Sequence, residues 1–159
     1  MQRLDSRYQI RAATNQDVDT MVRLWQAIDK AGEPRPFGGD TADKPQHAKR
    51  IIEHSLQSAQ AVLLVCTYDN TIMATITGHL FEKPAVKLNP IGVIYSLWVD
   101  SAHRNQGVGQ YLLNTLETSL KDLGAQAIQV GWDSANRSAE QWWQRRGYQA
   151  YEIIASKVL

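Results

Sequence analysis

The stretch IYSLWVDSAHRNQGVGQYLL, residues 94–113, constrains the fold more than any other part of the chain. An apolar run ends at Val99, a short turn follows, and Arg104-Asn105-Gln106-Gly107-Val108-Gly109 leads straight into an amphipathic helical pattern. A strand that passes into a helix in this way leaves unpaired backbone N–H groups at the helix start, and such groups attract anions. Gly107 and Gly109 carry no Cβ, so a phosphate can approach the backbone closely. Arg104 adds a fixed charge and a forked donor suited to phosphate. Two glycines alone would simply shape a tight turn. Here the arginine, both glycines, the strand before and the helix after agree on a phosphate site. No G-x-x-x-x-G-K-[ST] is present, and the third glycine of G-x-G-x-x-G is missing, so nucleotide and dinucleotide sites are unsupported.

The rest of the chain supplies elements around this segment. Tyr8–Ala12 alternates as a strand, Thr14 with Asp17 forms a helix-start signal, and Val18, Met21, Val22, Trp25 and Ile28 recur at helical spacing. Residues 31–45 hold three of the five prolines and three glycines, so they read as a loop. Ile51, Ile52 and Leu56 predict a helix over 46–58. Ala61–Tyr68 and Thr71–Phe81 form a predicted hairpin turning at Asp69-Asn70, and the loop EKPAVKLNP follows. Then come a strand over 92–99, a helix over 107–123 that stops at Gly124, and a strand over 127–130. A helix over 138–146 and a last strand over 149–158 complete the chain. The order β-α-α-β-β-β-α-β-α-β predicts an α/β protein with a mixed sheet, helices on its faces, and one domain over 1–159.

Composition excludes little. Seventeen Lys+Arg against sixteen Asp+Glu give a formal charge of +1, which supplies no bulk argument for a nucleic-acid or membrane partner. The start, MQRLDSRYQIRAAT, lacks the apolar stretch of a signal peptide, and no apolar run approaches bilayer length. Cys66 is the only cysteine and sits in the apolar run AVLLVCTY, the setting of an inert buried thiol. A cytoplasmic protein is the expectation. Of the four histidines, His47 and His54 stand two helical turns apart, and no other pair has ligand spacing, so no metal is expected. His103, beside Arg104, is expected to face solvent.

The string LWVDSAHRNQGVG resembles the acyl-CoA-binding signature of the GNAT superfamily of N-acetyltransferases, an apolar strand followed by Arg-x-x-Gly-x-Gly. A second mark of that family is an Asn before a short helix containing A-x-x-Φ-Tyr-x-x-x-Gly-aromatic. It is matched by Asn136-Arg-Ser-Ala139-Glu-Gln-Trp142-Trp143-Gln-Arg-Arg-Gly147-Tyr148. The resemblance implies a mostly antiparallel central sheet flanked by helices, with acetyl-CoA as co-substrate, an amine acceptor and a homodimer. It implies that Leu97 and Val99 pair with the pantetheine arm as though it were an added strand, in a slot opened by a strand bulge. The backbone of Asn105, Gln106, Gly107, Val108, Gly109 and Gln110 would hold the pyrophosphate with Arg104 beside it. Asn136 would bond the pantetheine, its other reading being a plain helix N-cap, and the helix bearing Ser138 and Trp143 would wall the slot.

The catalytic residues are left open by the same comparison. Where the family commonly has a proton-donating tyrosine this chain has Trp143, whose indole is no acid near neutral pH; it reads as a packing wall. Tyr148 reads as core. Strand parity puts Val93, Tyr95 and Leu97 on one face; some family members carry a Glu or His there, and Val93 cannot serve. Tyr95 is a candidate proton relay and Glu82 a candidate base, against the plainer readings of a strand aromatic and a solvated charge. The loops 31–45 and 82–91 would shape the acceptor site. A non-catalytic acyl-CoA-binding sensor is the alternative, because of Trp143.

Overall fold

The computed structural model describes residues 4–31, 45–85, 87–157 and 159. Five strands form one sheet in the order β1-β2-β3-β4-β5: Tyr8–Ala12, Ala61–Tyr68, Thr71–Phe81, Ile91–Val99 and Ala127–Val130. The first four pair antiparallel and β5 joins β4 in parallel, so the sheet is mixed as the element order implies. Four helices flank it: α1 (Val18–Ala31), α2 (Pro45–Gln57), α3 (Val108–Asp122) and α4 (Arg137–Gln144). The predicted loop over 31–45 falls mainly on residues 32–44, outside the described residues. Asp69 and Asn70 both take positive φ, 48° and 66°, the turn that matches the twist of a β2–β3 hairpin.

Alternation along the strands sorts the core into two layers. Leu64, Cys66, Ala74, Ile76 and Ile94 face Val108, Leu112, Leu113, Leu116 and Leu120 of α3, with Trp143 of α4. Leu63 and Val65 face Val18, Met21, Val22, Ala48 and Ile52 of α1 and α2. The α3 layer lies tight on the sheet because glycine leaves room for it. A Cβ at Gly92 would come within 2.9 Å of Leu120 Cδ1, and one at Gly78 within 3.1 Å of Leu116 Cδ1. Cys66 is fully buried, and burial pushes its thiol up to about 11, so it is an inert core residue.

The strand expected over 149–158 does not form. Residues 149–157 have no strand pairing, and Tyr151, Ile153 and Ile154 are 69%, 95% and 85% exposed; Val158 lies outside the described residues. The segment is fastened where the Gln129 side-chain amide donates to the Tyr151 hydroxyl and where Lys83 Nζ donates to Glu152 Oε2 at 3.0 Å. Strand-forming residues hold no strand without a ladder partner and a surface to bury against.

A second correction concerns β4. Thr77 pairs with Ser96 but Gly78 pairs with Ile94, so Tyr95 is an extra, unpaired residue: a β-bulge. The bulge resets parity. Val93, across from His79, and Tyr95 lie on the α1–α2 face, whereas Leu97, across from Ile76, lies on the α3 face. The three do not share one face. Strict alternation had assumed a ladder with no interruption.

The first helical turn is held by a charge cluster. Asp17, 6% exposed, accepts from Arg11 Nη1 at 2.7 Å and Nη2 at 2.9 Å, and from the Thr14 N–H at 2.8 Å. The hydrogen bond from Arg11 is the main cause that holds the Asp17 carboxyl down at about 2. A carboxyl depressed in the fold stabilises above its unfolded pKa and loses that contribution as pH falls through the folded one. Asp17→Asn should therefore cost about 1–2 kcal/mol at pH 7, a range discounted for the half-exposed Arg11. The stability gap to the native protein should close as pH falls from about 4 to 2, which thermal melts at a series of pH values would reveal.

Candidate functional site

The site begins where β5 stops. Its four residues pair with Ile91, Gly92, Val93 and Ile94, and beyond Ile94 no strand among the described residues lies on that side of β4. Backbone groups alternate in direction along an antiparallel strand. The Asp100 N–H donates to Met73 O of β3 at 2.8 Å, so the groups of Val99, and by alternation those of Leu97, point to the open side. The side chains of both are half-buried against the α3 core. The slot-opening bulge implied by the family resemblance is thus present at Tyr95, one residue past the last β4–β5 pair.

Arg104 folds back over the end of β4. Its guanidinium lies 4.5 Å from the Trp98 ring centroid, and Nε donates to Val99 O at 2.8 Å. The following turn is shaped by left-handed residues, Asn105 at φ 60° and Gly107 at φ 86°, the second of which caps α3. The N–H groups of Val108, Gly109 and Gln110 head the helix without intrahelical acceptors, whereas Tyr111 N already donates to Gly107 O at 3.1 Å. Gln110 directs its amide along the helix to Asn114 Oδ1 at 2.7 Å. Val108 is buried and anchors this first turn in the core.

The loop is tied to β1 by a network that sequence reading missed. The Tyr8 hydroxyl donates to Gln106 Oε1 at 2.6 Å and accepts from His103 Nδ1 at 2.8 Å. His103 also packs against Tyr68, ring centroids 4.9 Å apart, and edge-on against Tyr8 at 5.7 Å. It is therefore a half-buried strut beneath the loop, not the solvent-facing residue that its neighbour Arg104 suggested. Only the antiparallel pairing of Tyr8 with Tyr68 brings these rings together, and their spacing along the chain carries no trace of it.

The opposite wall comes from α4. Asn136 is its N-cap, with Oδ1 accepting from Ala139 N at 3.0 Å, which leaves the amide Nδ2 to donate elsewhere. Ser138 is exposed in the first turn. Trp143 is buried in the core, edge-on to Trp142 at 4.8 Å and to Tyr148 at 5.1 Å. The Tyr148 hydroxyl donates to Glu117 Oε1 at 2.6 Å, and burial, then that bond, raises its pKa. Trp142, not singled out from sequence, stands at the slot: a Cβ on Gly109 would lie 3.4 Å from its Cζ2 and 3.7 Å from Val99 Cγ2. Arg146 lies over its ring, 3.5 Å from the centroid. Gly109 thus fronts the narrow space between β4 and α4.

On the other face of the sheet Tyr95 is 57% exposed and stands edge-on to His79 and Phe81, with centroids 5.4 and 6.3 Å away. Burial still raises its pKa, so the phenol stays neutral near pH 7. Glu82 is exposed just past the end of β3. Thr77 Oγ1 and Ser96 Oγ, paired across β3 and β4 on this face, are buried without hydrogen-bond partners. Tyr95 therefore sits on the opposite face from the Leu97 side chain, and Glu82 lies in the loop beyond the sheet. No three His, Cys, Asp or Glu among the described residues gather to hold a metal ion, and no described helix is long and apolar enough to cross a membrane.

An open strand edge running into a glycine-headed helix is the arrangement that the family resemblance implies, and comparison with known proteins agrees on the fold. The model of the acetyltransferase (GNAT) family matches residues 22–148, and the chain belongs to that family. A GCN5-related N-acetyltransferase from Ralstonia eutropha JMP134 superposes with a TM-score of 0.81 at 18% identity, covering 95% of this chain and 98% of that one. A predicted acetyltransferase with acetyl-CoA from Clostridium acetobutylicum gives 0.77 at 19% identity, covering 95% and 96%. AAC(6')-Iy in complex with the bisubstrate analogue CoA-S-monomethyl-acetylneamine gives 0.76 at 14% identity, covering 96% and 97%. At these identities the likeness is one of fold. Comparison with curated proteins gives no match.

The strut under the loop is directly testable. Tyr8→Phe keeps the ring and removes both hydroxyl bonds, so the protein should lose about 1 kcal/mol of stability per bond. Amide exchange should quicken over residues 104–109 while that of β3 stays slow. Equal acceleration in both places would mean that the hydroxyl holds the whole fold and not this loop.

Proposed function

We propose that the chain is an N-acetyltransferase that moves an acetyl group from acetyl-CoA to a primary amine of a small molecule or protein. The observation that carries the reading is the open edge of β4 over the head of α3. An extended pantetheine arm has amides that match the outward backbone groups of Leu97 and Val99, and the pyrophosphate matches the free N–H groups of residues 105–110. Arg104 lies near enough to exchange Val99 O for a phosphate oxygen. Asn136 Nδ2 and Ser138 at the head of α4 are the polar groups on the far wall. Homodimerisation and a cytoplasmic location belong to the same reading.

In the reaction the amine nitrogen attacks the thioester carbonyl carbon, the N–C bond forms, and the C–S bond breaks with its electron pair leaving on sulfur. The Leu97 N–H, aimed at the open side, is the donor proposed to polarise the carbonyl oxygen. Tyr95 is well suited to orient the acceptor, since its neutral hydroxyl both donates and accepts. Glu82 is available to attract a cationic amine. Trp143, packed in the core, is treated as a wall, and sulfur leaves as a thiolate. The loops 31–45 and 82–91 would complete the acceptor site; 32–44 lie outside the described residues. AAC(6')-Iy, in complex with a CoA analogue of an aminoglycoside fragment, makes polycationic amines reasonable first acceptors to try.

Acetyl-CoA should raise the melting temperature, by about 2.7 kcal/mol of stabilisation at a hundredfold excess over Kd. CoA release in a screen of primary amines would then identify the acceptor. Gly109→Asp should abolish the thermal shift while the protein stays folded, because it fills the space beside Val99 and Trp142 and sets a negative charge against the phosphates. No shift of the native protein by millimolar acetyl-CoA or CoA would overturn the reading. A shift without turnover of any amine would favour an acyl-CoA sensor.

Trp143→Phe separates wall from acid. The variant should keep most of its kcat, lose about 1–2 kcal/mol of stability, and bind acyl-CoA more weakly. A large fall in kcat with an unchanged KM for acetyl-CoA would give the indole N–H a part in the transition state.

A further inference from the structure

Acetyl transfer needs a group to take a proton from the amine, and the residues considered so far serve it poorly. Val93 has nothing to titrate, the Tyr95 phenol is neutral near pH 7, and Glu82 is a solvated carboxylate past the end of its strand. The β3–β4 register shows another group. His79 pairs directly with Val93, so its side chain rises from the same face beside the bulge. Its ring stands 5.4 Å from that of Tyr95 at 83°, and 6.0 Å from that of Phe81.

One edge of the His79 ring is fixed by α2. Ser55 of α2, 3% exposed, holds Nε2 at 3.1 Å. No hydrogen-bond partner takes Nδ1 among the described residues. Tyr95 of β4 and His54 of α2 are the titratable groups facing the ring among the described residues, and no carboxylate there forms a pair with it. Burial, and secondly His54, lowers the pKa of His79 from its ordinary value, so the imidazole is neutral at pH 7 with a lone pair to offer.

We propose that His79 is the general base of this active site, accepting the amine proton on Nδ1, and that Ser55 is a positioning residue that accepts the Nε2–H. The inference rests on the acetyl-transfer reading above and supplies the proton acceptor it lacked. A primary amine arrives as an ammonium ion and gives one proton to Nδ1, which frees the nitrogen lone pair for attack on the carbonyl carbon. As the N–C bond forms and the C–S bond breaks, sulfur leaves as a thiolate, which then takes up the second proton lost by nitrogen to give the free thiol of CoA. His79 passes its proton to solvent, and one proton is released per turnover. Tyr95 and Phe81 stand beside His79 and are partly exposed, and their aromatic surface suits an amine on an apolar or flat body and stabilises its cationic form by cation–π contact.

The test uses the full chain with acetyl-CoA, and phenylethylamine and neamine as probe acceptors. His79→Gln should bind acetyl-CoA with unchanged affinity, melt within a few degrees of the native protein, and lose about 10²- to 10⁴-fold in kcat. The acidic limb of the native kcat/KM profile, expected below pH 6.5 because the neutral imidazole is the active form, should vanish with it. Ser55→Ala should lower kcat and shift that limb while leaving the KM for acetyl-CoA unchanged. Independently of turnover or of any variant's folding, the His79 ring resonances of the native protein should titrate below pH 6.5 and move when phenylethylamine is added with CoA bound. If acetyl-CoA fails to bind, the acetyl-transfer reading falls and this inference with it. If acetyl-CoA binds but His79→Gln keeps its rate and its acidic limb, or the ring resonances ignore the amine, His79 is not the base and the broader reading stands.

Discussion

Between Thr77 and Gly78 the ladder joining β3 to β4 skips Tyr95, and the geometry of the candidate site follows from that skip. A residue without a cross-strand partner bends its strand and increases the local twist. Here it falls where β5 ends, so β4 leaves its neighbour and exposes a backbone edge in the middle of a sheet. The same skip sends the Leu97 side chain to the α3 layer and leaves Tyr95 beside His79 on the other face. One insertion thus divides the site. The open edge with its helix head lies beside the α3 layer, and a cluster of rings and buried hydroxyls lies opposite.

Keeping such an edge open requires the surrounding structure to be firm. Gly78 and Gly92 let Leu116 and Leu120 of α3 settle almost onto the sheet, which fixes the helix whose first turn forms the anion-attracting end. From the other direction, Tyr8 and His103 brace the loop that precedes that turn. Trp142 and Trp143 then divide the work of α4: the buried ring secures the helix in the core, and its neighbour stands against Gly109 with the Arg146 guanidinium over its ring.

Local periodicity made most of the elements legible in the sequence. Strands β1, β2, β3 and β5 have the predicted bounds, and the helices shift by a residue or two at their ends, where pattern is weakest. The glycine-headed loop was legible because its chemistry is contiguous in the chain. What sequence did not reveal depends on pairing across the sheet. A bulge leaves no mark in an apolar run, so the parity of Leu97 was misassigned. His103 looked solvent-facing because the rings of Tyr8 and Tyr68 reach it only through the β1–β2 register. His79 attracted no notice because its significance lies in the residue opposite. The segment 149–158 alternates well enough for a strand, but strand formation also needs a neighbour, and β5 offers only four residues.

Arg104 now spends one of its donors on Val99 O, the same carbonyl that an added strand-like arm would seek. The open edge is therefore latched. A ligand that brings only amides must displace the guanidinium from that carbonyl, and it gains one hydrogen bond by breaking another. A ligand that also brings phosphate at the far end gives the guanidinium a better partner and frees the carbonyl in the same movement. On the proposed reading, discrimination between a bare pantetheine arm and one carrying phosphates would be set partly by the first carbonyl of the slot, at a distance from the phosphates themselves.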